Sequence, residues 1–148
     1  MQCVRIHAEA EALGVKTVEE LGIQRNLIDT SSQVSRLKAA GAIIIGKTNT
    51  PEWGFGSHSY NPVFGATRNP WDLTRSAGGS SGGAGAALAA RLVPVADGSD
   101  MMGSLRNPAA FCNVYGFRPS RGRVPNTLAP DAFSQQLATD GPMGRSVA

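Results

Sequence analysis

The sequence predicts an α/β fold with a central, largely parallel or mixed sheet flanked by helices. Two observations predict this class: helix-prone segments alternate with short apolar runs, and long loops rich in glycine, serine and proline connect them. The 148 residues are 41% hydrophobic and 17% charged, which is typical of a folded globular chain. We therefore predict one domain over residues 1–148, large enough to bury a core.

The first predicted elements are a strand at residues 3–6 and an Ala- and Glu-rich helix at residues 7–13. The serine pair at 31–32 can begin a second helix, whose apolar positions repeat every three residues and which Gly41 would end. Residues 42–45, Ala-Ile-Ile-Ile, form a β-branched run that is typical of a strand buried on both faces of a parallel sheet.

Two serine-bearing, glycine-rich loops, residues 78–83 and 97–104, organise the second half of the chain. A helix-length Ala-rich segment and one short apolar run separate these loops. The other predicted elements are a long functional loop at 47–77, helices at 84–92 and from 107 onward, and short strands at 93–96 and 115–117.

Charge and cysteine content narrow the function classes. The net charge is +3, but the densest basic group, the three arginines within residues 118–123, has no interleaved aromatic residue, so we predict no nucleic-acid partner. Cys3 and Cys112 lie far apart and lack the spacing of a metal site, which favours reduced thiols and a cytoplasmic location. No run approaches the ~20 apolar residues of a membrane span, and the start of the chain lacks a signal-peptide pattern.

Residues 41–48, Gly-Ala-Ile-Ile-Ile-Gly-Lys-Thr, match the phosphate-binding loop pattern letter for letter. That loop requires its variable positions in an open turn after a strand, with a helix after the lysine. Here the variable positions are the predicted strand itself, and residues 49–51 do not begin a regular helix. We therefore predict that Lys47 is a structural residue at a strand end and that the chain binds no nucleotide.

Residues 79–83 fit the G-x-S-x-G nucleophile elbow, with Ser81 as the nucleophile. That elbow requires an apolar strand directly before it and a histidine after it in the chain. Residues 69–76 are mostly polar, and both histidines, His7 and His58, precede Ser81. The elbow interpretation is therefore excluded.

Four segments, residues 37–52, 78–83, 97–112 and 116–125, share long motifs with one known family. These motifs include Gly-Gly-Ser-Ser-Gly-Gly, Asp-Gly-Ser-Asp-Met-Met-Gly-Ser-Leu-Arg and Gly-Phe-Arg-Pro-Ser-Arg-Gly. In sequence and in order they closely resemble the amidase signature family, over residues 32–146. The resemblance implies a partial amidase-signature fold, and that the chain is a single incomplete domain.

The resemblance implies an amidase-type hydrolase that cleaves a carboxylic amide, a non-peptide C–N bond, with a Ser–cis-Ser–Lys triad. Ser104 would be the acylated nucleophile, and Ser80, preceded by a non-proline cis peptide, would relay its proton. The backbone N–H groups of Met101, Met102, Gly103 and Ser104 would form the oxyanion hole. The expected supporting residues are Ser81, Asp100 and Arg106. The partner would be a small amide substrate, with no metal and no organic cofactor.

The sequence departs from the family at the expected base. When residues 14–17 are aligned with the family's Gly-Val-(Lys/Arg)-Thr segment, His7 stands where the family has its lysine. An imidazole can act as a base near neutral pH, but it is shorter than lysine. The chain also ends where family members continue. A second hypothesis therefore stays open: an inactive remnant that acts, if at all, as a binding or assembly module, by self-association or with a further portion supplied by another chain.

Overall fold

The computed structural model describes residues 32–124 and 137–147. The predicted strand at 3–6, the predicted helix at 7–13 and His7 lie outside the described residues. Helices α1 (Ser32–Ala39), α2 (Gly82–Ala89) and α3 (Arg106–Cys112) and a short 3-10 helix (Glu52–Gly54) form the helical part. They confirm the helices predicted after residue 31, after the first serine loop and around Pro108.

Helix α1 ends as the sequence predicts. Gly41 has φ +90°, a left-handed conformation that glycine adopts readily. The Gly41 N–H donates to the carbonyl of Lys38, and the Ala42 N–H donates to the carbonyl of Leu37. These bonds satisfy carbonyls that the helix end leaves without helical partners.

The strands form three small antiparallel sheets. Two are hairpins, β1 (Tyr60–Asn61) with β2 (Gly65–Ala66), and β3 (Arg68–Asn69) with β4 (Asp72–Ser76). The third has the order β5-β7-β6 and contains β5 (Val95–Asp100), β6 (Tyr115–Gly116) and β7 (Thr139–Gly144). Because β7 pairs with both β5 and β6, it joins the end of the described chain to the loop that precedes Ser104.

Two strand predictions need correction. All strand pairings within residues 32–124 and 137–147 are antiparallel, whereas a largely parallel or mixed sheet is expected from the sequence. Residues 42–45 form no strand, and Ile43 and Ile45 are 87% and 53% exposed. A strand needs a neighbour to accept and donate its backbone hydrogen bonds, and a β-branched run alone does not supply one. Lys47 is consequently not at a strand end.

The strand predicted at 93–96 begins at Val95 and continues to Asp100, through residues that the sequence predicts as a loop. Its partner β7 supplies the reason: six consecutive residues pair, from Val95 with Gly144 to Asp100 with Thr139. Pairing of this length overrides the low strand propensity of Asp, Gly and Ser. The strand therefore carries the chain directly to the second serine loop.

The core lies where α2 and α3 pack on this three-stranded sheet. Leu88, Leu105 and Met143 are its largest apolar side chains and are almost fully buried together with Ala84 and Ala109. Small residues on α2 permit close helix packing: a Cβ on Gly85 would lie 3.2 Å from the carbonyl oxygen of Pro108 on α3. Both serine loops are therefore attached to the best-packed part of the described chain.

The long segment 47–77 is only partly packed. The indole N–H of Trp71 donates to the carbonyl of Cys112 at 2.7 Å, which ties the second hairpin to the end of α3. Trp53 and Phe55 are 88% and 84% exposed. Of the loop predicted at 47–77, the second half is thus tied to α3, although Trp71 and Leu73 are still 65% and 63% exposed, and the turn around Trp53 is not packed.

Candidate active site

The two serine loops meet through a backbone hydrogen bond. The N–H of Ser81 donates to the carbonyl oxygen of Ser104 at 3.2 Å. Ser80, the residue before this donor, follows a cis peptide bond from Gly79, as the family resemblance implies. Ser80 and Ser104 are both half-buried, so their side chains are partly open to solvent.

Each loop is placed by a regular element. The first runs into α2, which begins at Gly82, and the second lies between the end of β5 at Asp100 and the start of α3 at Arg106. Since α2, β5 and α3 share one core, the packing that stabilises the domain also sets the separation of the two loops.

Ser81 is buried and anchors the first loop to β5. Its hydroxyl group donates to the carbonyl of Ser99 at 3.4 Å and accepts from the N–H of Ser99 at 3.3 Å. A Cβ on Gly98 would lie 2.5 Å from the Ser81 hydroxyl oxygen, so a side chain at position 98 would displace this contact. The Ser81 hydroxyl group is therefore engaged between the first loop and β5.

Asp100 is the centre of the second loop. Its carboxylate is fully buried and accepts backbone N–H bonds from Gly103 at 2.8 Å and Leu105 at 3.2 Å. Arg106 adds two side-chain bonds of 3.0 Å, one from Nε to Oδ2 and one from Nη2 to Oδ1. These bonds close the turn that holds Ser104.

The charge state of Asp100 follows from these contacts. Burial alone would raise the pKa of its carboxyl group, but the hydrogen bonds from Arg106, Gly103 and Leu105 and the positive charge of Arg106 outweigh it. Together they lower the pKa of Asp100 from 3.8 to about 2. The carboxylate is therefore charged at neutral pH and acts as an acceptor that stabilises the loop, not as a proton donor.

The backbone around Ser104 offers three free donors. The N–H of Gly103 is already donated to Asp100, which removes it from the four oxyanion donors expected from the sequence. No hydrogen bond within residues 32–124 and 137–147 uses the N–H of Met101, Met102 or Ser104. Gly103 instead provides the turn, with φ +113°. The side chain of Met102 is 82% exposed beside these donors.

The described residues bring no base to the two serines. His7 lies outside them, and the exposed Lys47 makes no hydrogen bond to a serine in that part of the chain. The Nδ1 atom of His58 lies 2.8 Å from the Ser76 hydroxyl oxygen, not from Ser80. Within the same ranges, no group of His, Cys, Asp and Glu side chains is suited to hold a metal ion, and no helix is long and apolar enough to span a membrane.

Sequence reasoning missed two residues that hold the site. Arg118 donates from Nη1 to the backbone carbonyl of Asp100 at 2.9 Å and from Nη2 to the carbonyl of Leu137. Ser59 donates its hydroxyl proton to the carbonyl of Ser80 at 2.7 Å. Arg118 stands in one of the family motifs, and its position there could have indicated a role near the site. Nothing in the local pattern distinguishes Ser59 from the other serines of its loop.

Comparison with known proteins identifies consistent relatives. A family model described as Amidase matches residues 23–148. A glutamyl-tRNA(Gln) amidotransferase subunit from Thermus thermophilus is 47% identical over 136 residues, 90% of this chain. Among solved structures, a bacterial aryl acylamidase of the amidase signature enzymes matches 78% of the chain with 45% identity and a TM-score of 0.74.

A second solved structure, 6-aminohexanoate cyclic dimer hydrolase, matches 78% of the chain with 47% identity and a TM-score of 0.71. These matches confirm the α/β, amidase-signature class of the fold. The chain spans 29% of the length of the Thermus thermophilus relative and 24% of each of the two solved structures.

Proposed function

The chain belongs to the amidase signature family, and we propose that it carries the nucleophile and the proton-relaying serine of an amide hydrolase. The observation that carries this proposal is the hydrogen bond from Ser81 N–H to the Ser104 carbonyl, because it brings the two serine loops together. The relatives support amide chemistry in general: their names include an aryl acylamidase and one component of an amidotransferase.

In the proposed reaction, Ser104 Oγ attacks the carbonyl carbon of the amide. The Ser104 proton passes to Ser80 Oγ, while the Ser80 proton passes to a base. The tetrahedral intermediate then collapses, the C–N bond breaks, and the leaving amine takes up a proton from the relay. Water attacks the resulting ester on Ser104 by the same route, which releases the carboxylic acid and restores both hydroxyl groups.

We propose that the N–H groups of Met101, Met102 and Ser104 stabilise the negative oxygen of the intermediate. Backbone donors that no other group in the described chain engages are suited to this role, and loss of one such donor typically lowers turnover by about 10²–10³. Asp100 contributes indirectly, because it engages Gly103 and Leu105 and thereby shapes the turn between these donors. The base remains the proposed His7 at the position of the family lysine.

The proposed substrate is a small amide, with no metal or organic cofactor. The exposed apolar side chain of Met102 beside the donors favours an acyl group with apolar character. Work with a further polypeptide is also proposed, since the Thermus thermophilus relative is named as one subunit of an amidotransferase. A cytoplasmic location stays a proposal that rests on the unpaired spacing of Cys3 and Cys112.

A fluorophosphonate probe tests the proposal, because it reacts with activated serines. We expect intact-mass measurement of the full chain to show one adduct, which Ser104→Ala abolishes. Ser57→Ala is the matched control, because Ser57 is an exposed serine of the preceding loop. An unlabelled chain that circular dichroism and thermal melting show to be folded would overturn the proposal.

A second candidate is the non-catalytic binding or assembly module. The observation that favours it is the exposure of Ile43, Trp53 and Phe55, three large apolar side chains close together in sequence. Sedimentation of the chain before the probe is added, combined with the labelling result, separates the two candidates. The module requires a chain that associates and does not react with the probe. The hydrolase requires a chain that reacts with the probe whatever its association state.

A further inference from the structure

Two backbone hydrogen bonds, one to each neighbouring segment, hold Ser59 in place. Its N–H donates to the carbonyl of Gly78 at 3.0 Å, and its carbonyl accepts from the N–H of Thr67 at 2.9 Å. The residue is 1% exposed. Ser59 therefore has a fixed position between the first hairpin region and the loop that carries Ser80.

The Ser59 hydroxyl bridges the Ser80 loop. It donates its single proton to the carbonyl of Ser80 at 2.7 Å and accepts from the N–H of Gly82 at 2.9 Å. The direction of both bonds is settled, because a carbonyl only accepts and an N–H only donates. One buried side chain thus fixes the peptide units on both sides of Ser81.

The Ser80 loop passes so close to residues 58–59 that a side chain at either flanking glycine would clash. A Cβ on Gly82 would lie 2.6 Å from the Ser59 hydroxyl oxygen, and a Cβ on Gly79 would lie 2.8 Å from backbone atoms of His58. The glycines on either side of Ser80 are therefore required by the close approach of residues 58–59. Ser81 anchors the opposite side of the same loop to Ser99.

We propose that Ser59 is a positioning residue for the proton relay. By holding the carbonyl of Ser80, it fixes the peptide unit from which the Ser80 side chain projects, and so directs the Ser80 hydroxyl group toward Ser104. This inference rests on the proposed function, since it presupposes that Ser80 relays the Ser104 proton. Ser59 touches no reacting atom and acts through the Ser80 backbone.

The test compares the labelling kinetics of variants of the full chain with a fluorophosphonate probe. Ser59→Ala removes both bonds, and we expect the maximal labelling rate to fall about 10²-fold, since small misplacement of a reacting group has effects of this order. The probe concentration that gives half-maximal rate should change less than about twofold. Ser59→Thr keeps the hydroxyl group and should recover most of the rate.

Thr67→Val is the matched control for loss of a buried hydroxyl group in the same segment. Thr67 is 6% exposed, and its Oγ1 accepts from Asn49 Nδ2 at 3.0 Å, so the change removes a nearby hydrogen bond without touching Ser80. All rates are taken below the thermal transition of the variant, so that only folded protein is compared. Should Ser59→Ala not fold, Ser59→Cys keeps the side-chain shape with a weaker donor and should show a smaller loss of rate.

The outcomes separate the two proposals. A wild-type labelling rate in folded Ser59→Ala, or an equal loss in Thr67→Val, would overturn the role of Ser59 and leave the proposed function standing. A wild-type chain that is folded and takes no label would overturn both. A loss in Ser59→Ala that Ser59→Thr restores and Thr67→Val lacks would support the positioning role.

Discussion

Residues 78–118 and residues 42–56 differ in how well their large or charged side chains are buried and hydrogen-bonded. In the first region Asp100 is fully buried, and both of its carboxylate oxygens accept hydrogen bonds. Leu88 and Leu105 are buried in the core. In the second region Ile43 and Trp53 are among the most exposed large apolar side chains of the described chain. Local hydrogen bonds and nearby packing determine the first region, whereas no neighbour within residues 32–124 and 137–147 covers the large apolar side chains of the second.

The largest expected effect is in the first region. Asp100→Ala leaves the N–H groups of Gly103 and Leu105 without their acceptor and the Arg106 guanidinium without its partner, so we expect a loss of ~3–5 kcal/mol in the free energy of unfolding. Urea denaturation followed by circular dichroism measures it. The matched control is Asp97→Ala, an exposed aspartate on the same strand. Equal losses in the two variants would contradict the central role of Asp100.

Truncating one apolar side chain in each region makes the comparison quantitative. Leu88→Ala removes a fully buried core side chain, and we expect it to cost ~2–5 kcal/mol in the free energy of unfolding. Ile43→Ala removes an exposed side chain and should change that free energy by less than about 0.5 kcal/mol. A large loss from Ile43→Ala at protein concentrations where the chain associates, and not at dilution, would show that a second molecule covers this segment.

Acid sensitivity should arise from the first region. Because folding lowers the pKa of Asp100, its contribution to stability is complete above its ordinary value of 3.8 and is lost as the pH falls toward about 2. Arg106→Gln removes the strongest of the favourable bonds, so the folded-state pKa should rise and acid unfolding should begin at higher pH. Thermal melting between pH 2 and pH 6 tests this, in steps of about half a unit. An unchanged acid midpoint would contradict the assignment.

Two glycine variants should lower the free energy of unfolding by less than Asp100→Ala or Leu88→Ala. Gly98→Ala places a Cβ about 2.5 Å from the Ser81 hydroxyl oxygen and 2.9 Å from Leu105 Cδ2, and overpacking of this kind costs ~1–3 kcal/mol. Gly41→Ala meets no atom within 4 Å, and its cost of ~1 kcal/mol is that of the left-handed backbone alone. Chemical denaturation compares them. Only Gly98→Ala should also slow fluorophosphonate labelling, because only Gly98 contacts the Ser80 loop.

The elements near the serine loops were largely predictable from sequence. Ser80, Ser104, Asp100 and Arg106 stand within long motifs, so the resemblance assigned them expected roles, and these roles stay predictions. The helix predicted at residues 84–92 is present and begins at Gly82, and the cis peptide that the resemblance implies before Ser80 is also present. These features depend on short-range sequence, since each is formed by residues close together in the chain.

The features that could not be predicted from the sequence depend on contacts between residues distant in the chain. The run at 42–45 has the composition of a buried strand, but composition does not provide its neighbour. The extension of β5 to Asp100 required its partner β7, which begins at Thr139. Ser59 lies 21 residues before Ser80, whose carbonyl accepts its hydroxyl proton, and no local sequence pattern predicts that hydrogen bond. The sequence also could not predict that the Gly103 N–H donates to the Asp100 carboxylate and so is not available as an oxyanion donor, because this depends on where that carboxylate lies.

Mapping the fluorophosphonate adduct to a residue tests the central claim, that the two loops of this chain activate Ser104 through Ser80. After labelling, proteolysis and peptide fragmentation should place the adduct on Ser104, and Ser80→Ala should slow its formation without moving it. An adduct on Ser80 or Ser81, or a labelling rate that Ser80→Ala leaves unchanged, would contradict that claim.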